Sequence, residues 1–145
     1  MSEILPKVLT EKEARLKNPL ALAFIGDTVW DLLTRQQLLL SGAHVNALHR
    51  SAVARVNAAA QAAALEKILP LLLPEEADVA RRGGNAHSHH PVPKNQTPYD
   101  YSRATALEAL MGYLYLTGQN ARLTELYQAA CPVEDTVPKG RENHA

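Results

Sequence analysis

Residues 24–33 read FIGDTVWDLL, and they sit inside the longest helical pattern of the chain, NPLALAFIGDTVWDLLTRQQLLLSG at 18–42. Asn18 suits an N-cap, Pro19 the first helical position and Gly42 the stop. Between these signals the helix carries two apparent flaws side by side. Gly26 costs about 1 kcal/mol relative to alanine in a helix interior. Asp27, ionised among apolar neighbours, costs several kcal/mol unless something pairs with it. The pair must therefore answer to something outside its own helix.

Working outward, the chain offers further helices and no strand. TEKE at 10–13 fits a capping box with Thr10 as N-cap and Glu13 at the third helical position. The Ala- and Leu-rich run at 44–72 reads as helix broken at Pro70. LPEEADVARRGG at 73–84 reads as a short helix with acids at its start, arginines at its end and Gly83 as stop. A loop rich in Pro, His and Asn follows at 84–100, then apolar helix to Gly118 and a last helix at 120–130. No period-2 alternation and no internal repeat interrupts this pattern, so the expected fold class is all-α, one domain of six or so helices. The expected division is an N-terminal segment 1–17, a domain 18–131 and a flexible tail 132–145 rich in Pro, Gly and charge.

The 145 residues suffice for one core. Fifteen basic and fifteen acidic side chains cancel, which leaves any polyanion binding to local charge. A single cysteine, Cys131, excludes an intramolecular disulfide framework and points to a reducing compartment. The first residues carry charge without an apolar stretch, and no run approaches the length of a membrane span, so a signal peptide and a membrane partner are not expected.

A second helix mirrors the first. In LEALMGYLY at 107–115, Glu108 lies among apolar residues and Gly112 follows one turn later. Helical spacing places Leu20, Ala23, Phe24, Asp27, Trp30, Asp31 and Thr34 on one stripe of the first helix. It places Tyr101, Ala104, Thr105, Glu108, Met111, Gly112 and Tyr115 on one stripe of the second. The glycines permit close backbone approach. Facing helices with inward carboxylates are one way to build a divalent-cation site, and Mg²⁺ needs only one or two carboxylates besides water. The same pattern also fits two structural acids satisfied by an arginine or a backbone N–H. Asp31 and Glu66 read as solvated or ion-paired.

Between Val79 and Tyr99 stand Arg81, Arg82, Lys94 and three histidines, with no acid. A basic loop of this kind suits an A-form duplex, which is met through phosphates and 2′-hydroxyls. A solvated surface loop is the plain alternative. Residues 83–98 are expected to form a mobile arm, with Arg50 and Arg55 extending the basic surface. HSHH at 87–90 lacks a matching Cys or His pair and reads as incidental.

LALAFIGDTVWDLL and TALEALMGYLYL resemble the two signature motifs of the ribonuclease III catalytic domain. RRGGNAHSHHPVPKN with the YSRATALEALMGYLYL that follows resembles Mini-ribonuclease III, the short branch without a separate double-stranded-RNA-binding domain. The likeness spans roughly residues 18–130. It implies an all-α homodimeric endoribonuclease that cuts double-stranded RNA with Mg²⁺, or Mn²⁺ in its place, leaving 5′-phosphate and 3′-hydroxyl ends. It assigns catalysis and metal binding to Asp27 and Glu108; RNA contacts are expected from the loop and its flanks at Arg81, Arg82, Asn85, His87, Lys94 and Asn95, with Arg50 added by its charge. It further implies a cytoplasmic role in maturing the large-subunit (23S) ribosomal RNA precursor. The chain departs from the family pattern at Ala23 and Thr105, where two further acids stand in full-length members. It departs again at Gly84 and His87, which replace an arginine and a lysine. The competing function is a catalytically inactive, RNA-binding or ribosome-associated scaffold of the same fold; the presence of both acids argues against it.

Overall fold

The computed structural model describes residues 8–86 and 91–132. They form α1 (Glu11–Arg15), α2 (Pro19–Leu40), α3 (Val45–Val56), α4 (Ala58–Ile68), a 3₁₀ turn (Leu69–Leu71), α5 (Pro74–Asn85), α6 (Pro98–Leu116) and α7 (Asn120–Ala130). Among the described residues there is no strand, so the all-α expectation holds. The local signals account for most boundaries. The Thr10–Glu13 capping box closes in both directions, at 2.9 and 3.1 Å. Asn18 accepts from Leu20 N at 2.9 Å. Gly42 and Gly118, which follow α2 and α6, take positive φ of 84° and 74°, the left-handed conformation glycine adopts without penalty.

α6 is the axis of the fold. Leu107, Leu110, Met111, Tyr113 and Leu114 are all inaccessible to solvent, and α2, α4 and α5 pack around it. Trp30 from α2, Leu65 and Ile68 from α4, Val79 from α5 and Leu126 from α7 complete the core. Leu9 N–H donates to the Leu116 carbonyl at 3.0 Å and Ala14 is fully buried, so the N-terminal segment is docked from Leu9 onward.

Three expectations need correction. The run 44–72 is two helices, because Asn57 leaves helical geometry and its side chain caps α4 by accepting from Ala60 N at 2.8 Å. Gly83 does not stop α5, which continues to Asn85. Gly83 and Gly84 are packing residues. A Cβ on Gly83 would lie 2.7 Å from Ala109 Cβ, and one on Gly84 would lie 3.1 Å from Ser102 Oγ. Ser102 Oγ also donates to the Gly84 carbonyl at 2.8 Å. The proposed arm 83–98 therefore begins inside a helix, and its first residues belong to the core. Thirdly, the buried face of α2 is Leu22, Ala23, Gly26, Val29, Trp30, Thr34 and Leu38, with Phe24 and Asp27 outside it. The helix is rotated relative to the stripe read from its spacing, because Gly26 and not Asp27 meets α6.

Candidate active site

The two glycines explain the opening stretch. A Cβ on Gly26 would overlap the Glu108 carbonyl oxygen and lie 2.8 Å from Gly112 N. A Cβ on Gly112 would overlap the Leu22 carbonyl oxygen and meet Ile25 Cγ2 at 2.9 Å. α2 and α6 thus touch backbone to backbone, which only residues without a side chain allow. The contact falls one residue before Asp27 and at Glu108 itself. It brings the two acidic side chains together although they are far apart in sequence.

The carboxylates differ in setting. Asp27 is exposed, whereas Glu108 is half-buried. Burial, then the neighbouring Asp27 charge, pushes the Glu108 carboxyl up to about 8, against a partial lowering by Gln61. Glu108 therefore holds its proton at neutral pH, beside an acid on the adjoining helix. Gln61, on α4, is 2 % exposed, and its Nε2 has no partner within hydrogen-bond geometry. A buried donor left without an acceptor costs about 1–3 kcal/mol.

Glu108 lines a cleft of about 430 Å³ between the α3–α4 junction, the turn around Asn95 and the first half of α6. Asn57, Gln61, Lys94, Asn95, Gln96, Asp100, Tyr101 and Thr105 share that lining. Asn95 holds a positive φ of 71°, a conformation asparagine tolerates better than most residues. The stripe Tyr101–Ala104–Thr105–Glu108 expected from α6 does face one space. The Thr105 hydroxyl donates to the Tyr101 carbonyl at 2.9 Å, within its own helix, and Ala23 is buried and apolar. Among the described residues no group of three or more His, Cys, Asp or Glu side chains converges. Among the described residues the site thus pairs Asp27 with Glu108, with Asp100 elsewhere in the cleft lining. Its donors are hard oxygens, one acid is held protonated for want of a counter-charge, and a buried amide donor beside it is unpaired. These features fit a divalent cation that takes most of its ligands from water and substrate.

The other expected residues divide into two groups. Lys94 and Asn95 reach the cleft. Arg50, on α3, is exposed and donates to the Asn46 carbonyl at 3.0 Å. Arg81 pairs with Asp78 at 2.6 Å on α5, and Arg82 donates to the Arg15 carbonyl at 2.9 Å, tying α5 to α1. Both arginines are therefore helix residues and not part of a loop. Asn85 ends α5, exposed and away from the cleft lining. His87, like the rest of HSHH and the tail from residue 133, lies outside the described residues. Asp31 pairs with Arg35 at 3.0 Å, and Glu66 with Arg103 at 3.3 Å and the Tyr99 hydroxyl, as expected for peripheral acids. The reading of the sequence missed Asn57, Gln61, Gln96 and Asp100. Only Gln61 left a signal, as a lone amide in the alanine run at 58–64.

Comparison with known proteins converges on one family. The ribonuclease III domain profile matches residues 20–119. The Mini-ribonuclease 3 of Symbiobacterium thermophilum is 46% identical over 124 residues, covering 85% of this chain and 92% of that protein. The Mini-ribonuclease 3 of Brevibacillus brevis is 43% identical over 120 residues, covering 82% and 89%. A Fusobacterium nucleatum protein of known crystal structure superposes with a TM-score of 0.70 at 31% identity, over 88% of this chain and 96% of that one.

Proposed function

The chain belongs to the ribonuclease III family, and on that premise we propose a Mg²⁺-dependent endoribonuclease that cuts both strands of double-stranded RNA as a homodimer. The observation that carries the proposal is the glycine-to-glycine crossing of α2 and α6, which brings Asp27 beside Glu108, and Glu108 in turn lines an open cleft. A divalent cation bound there would supply Lewis-acid activation of a water and neutralise charge on the scissile phosphate. Asp27 and Glu108 would hold it, Asp27 from the solvent side and Glu108 from the floor. Glu108 would give up its proton to such a cation, whose counter-charge would stabilise the carboxylate. Lys94 and Asn95 at the rim carry the RNA-binding assignment most directly. Arg50, Asn85 and Arg81 extend it over the surface, His87 keeps the assignment from the family pattern alone, and Arg82 is engaged with α1.

Two-fold symmetry matches the symmetry of a duplex, so two copies of a one-strand site would cut both strands at a fixed offset. Exposed apolar side chains along α2 favour such a partner: Phe24 is 81% exposed, Leu32 61%, Leu39 65% and Leu40 76%. No helix of the described residues is long and apolar enough to cross a membrane. The family resemblance supports the cytoplasm as the compartment and the large-subunit ribosomal RNA precursor as the substrate. Incubation of the purified chain with a long RNA duplex, with and without Mg²⁺, tests the reading. Metal-dependent products with 5′-phosphate and 3′-hydroxyl ends are expected; equally rapid cutting of a DNA duplex contradicts it.

A further inference from the structure

We propose that Gln61 is a positioning residue for Glu108, its buried side-chain amide serving as the waiting hydrogen-bond donor for the carboxylate that Glu108 presents to a divalent cation. The inference rests on the reading of Asp27 and Glu108 as the cation-holding pair. Three observations carry it. Gln61 is 2 % exposed, on a helix whose other buried residues, Ala58, Ala62, Ala64, Leu65 and Ile68, are apolar. It lines the same cleft as Glu108. Its Nε2 nevertheless lacks a partner.

A buried amide with an unused donor is unusual, because nearly all such groups are satisfied. Structural need does not explain it, since leucine or methionine would fill the same space in α4 without the desolvation penalty. A carboxylate accepts from two sides. With a cation at the Asp27 side, the remaining acceptor capacity of Glu108 would face α4, where Gln61 waits. A donor there would fix which oxygen is turned to the cation and would hold the carboxylate in one rotamer. Loss of such an outer partner typically costs about 10–100-fold in metal affinity.

The test uses the full chain and Mn²⁺ as probe. Gln61→Met keeps volume and removes the donor; Gln61→Leu is a second apolar variant should the first pack poorly. Binding of Mn²⁺ is followed by titration calorimetry and by its effect on the melting temperature. RNA affinity is measured in chelator, and cleavage is measured across Mn²⁺ concentration. The expected result is a rise of about tenfold or more in half-saturating Mn²⁺. RNA affinity without metal should be unchanged, metal-free melting level or higher, and cleavage restored at high Mn²⁺. Wild-type Mn²⁺ binding in both Gln61 variants, alongside lost binding in Glu108→Gln, would overturn the inference and leave the carboxylate pair standing. Loss of metal-free stability and RNA affinity together in both variants would assign Gln61 to the core and overturn it too. Absence of Mn²⁺ binding in the wild type would overturn the pair itself and the inference with it.

Discussion

Two glutamates leave water in this fold, and they end in opposite states. Glu76, 1% exposed at the start of α5, accepts from Arg122 Nε at 2.9 Å and Arg122 Nη2 at 2.8 Å, and from the Leu73 N–H at 2.9 Å. Burial alone would raise its pKa, but the Arg122 hydrogen bonds, the Leu73 N–H and the Arg122 charge outweigh it and hold the carboxyl below the usual range. Glu108 has no ion pair among the described residues and an acid as neighbour, and burial, then the Asp27 charge, pushes its carboxyl up to about 8. The first glutamate joins α5 to α7 and is complete within the chain. The second is complete only with a positive charge from outside. Burial itself is common to both; the missing counter-charge is what makes Glu108 the candidate functional one.

Four changes sharpen this contrast. The largest effect is expected at the incomplete acid: Asp27→Asn and Glu108→Gln should each lower the cleavage rate more than about 1,000-fold, the several kcal/mol a catalytic cation contributes. Duplex RNA binding in chelator should survive in both, as a gel-shift titration would show. Either variant keeping more than a few per cent of wild-type cleavage breaks the assignment. Next, Arg122→Ala should destabilise the fold by about 3–5 kcal/mol in denaturant unfolding, because it strands a buried carboxylate. A variant that unfolds like the wild type would show that Glu76 is not held as described.

Third, the two acids predict opposite slopes of metal-free stability with pH. The Glu108 pKa is raised on folding, so its favourable contribution is full below about 4.5 and is lost as pH rises toward about 8. Roughly 2–4 kcal/mol is at stake, discounted from the full shift for water in the cleft. Glu108→Gln should remove that decline. The Glu76 pKa is lowered, so its contribution is present above the unfolded value and lost as pH falls through the folded one. Denaturant unfolding of wild type and Glu108→Gln from pH 5 to 8 reads the first, and carrying the wild-type series below pH 4.5 reads the second; parallel curves from pH 5 to 8 would contradict the raised Glu108 pKa. Smallest is Gly26→Ala, expected to cost about 1–3 kcal/mol through overpacking against the Glu108 backbone. It should weaken cleavage by parting the two acids. An unchanged melting temperature would mean that the helices do not touch there.

Much of this was legible in the sequence, and the failures have physical causes. Caps and stops are local chemistry, so Thr10, Asn18 and Gly42 read correctly. The coincidence of a glycine and an acid on two helices announced the crossing, since both are unfavourable in a helix that has no partner. The rotation of α2 was not legible: spacing gives a stripe but not which edge of it faces the neighbour, and tertiary contact at Gly26 decided. Gly83 and Gly84 resemble stops because a stop and a close packing contact both call for glycine. Gln61 escaped notice because one amide in an alanine run gains meaning only from what lies across the cleft.

The central claim is that Glu108 keeps a proton that a cation displaces. Mg²⁺ titration calorimetry in buffers of different ionisation enthalpy counts that proton directly. With a carboxyl near 8, binding at pH 7 should release about one proton per site, and release should fade by about pH 9. Glu108→Gln should release none. Mg²⁺ binding without proton release from the wild type, or with equal release from Glu108→Gln, would contradict the account.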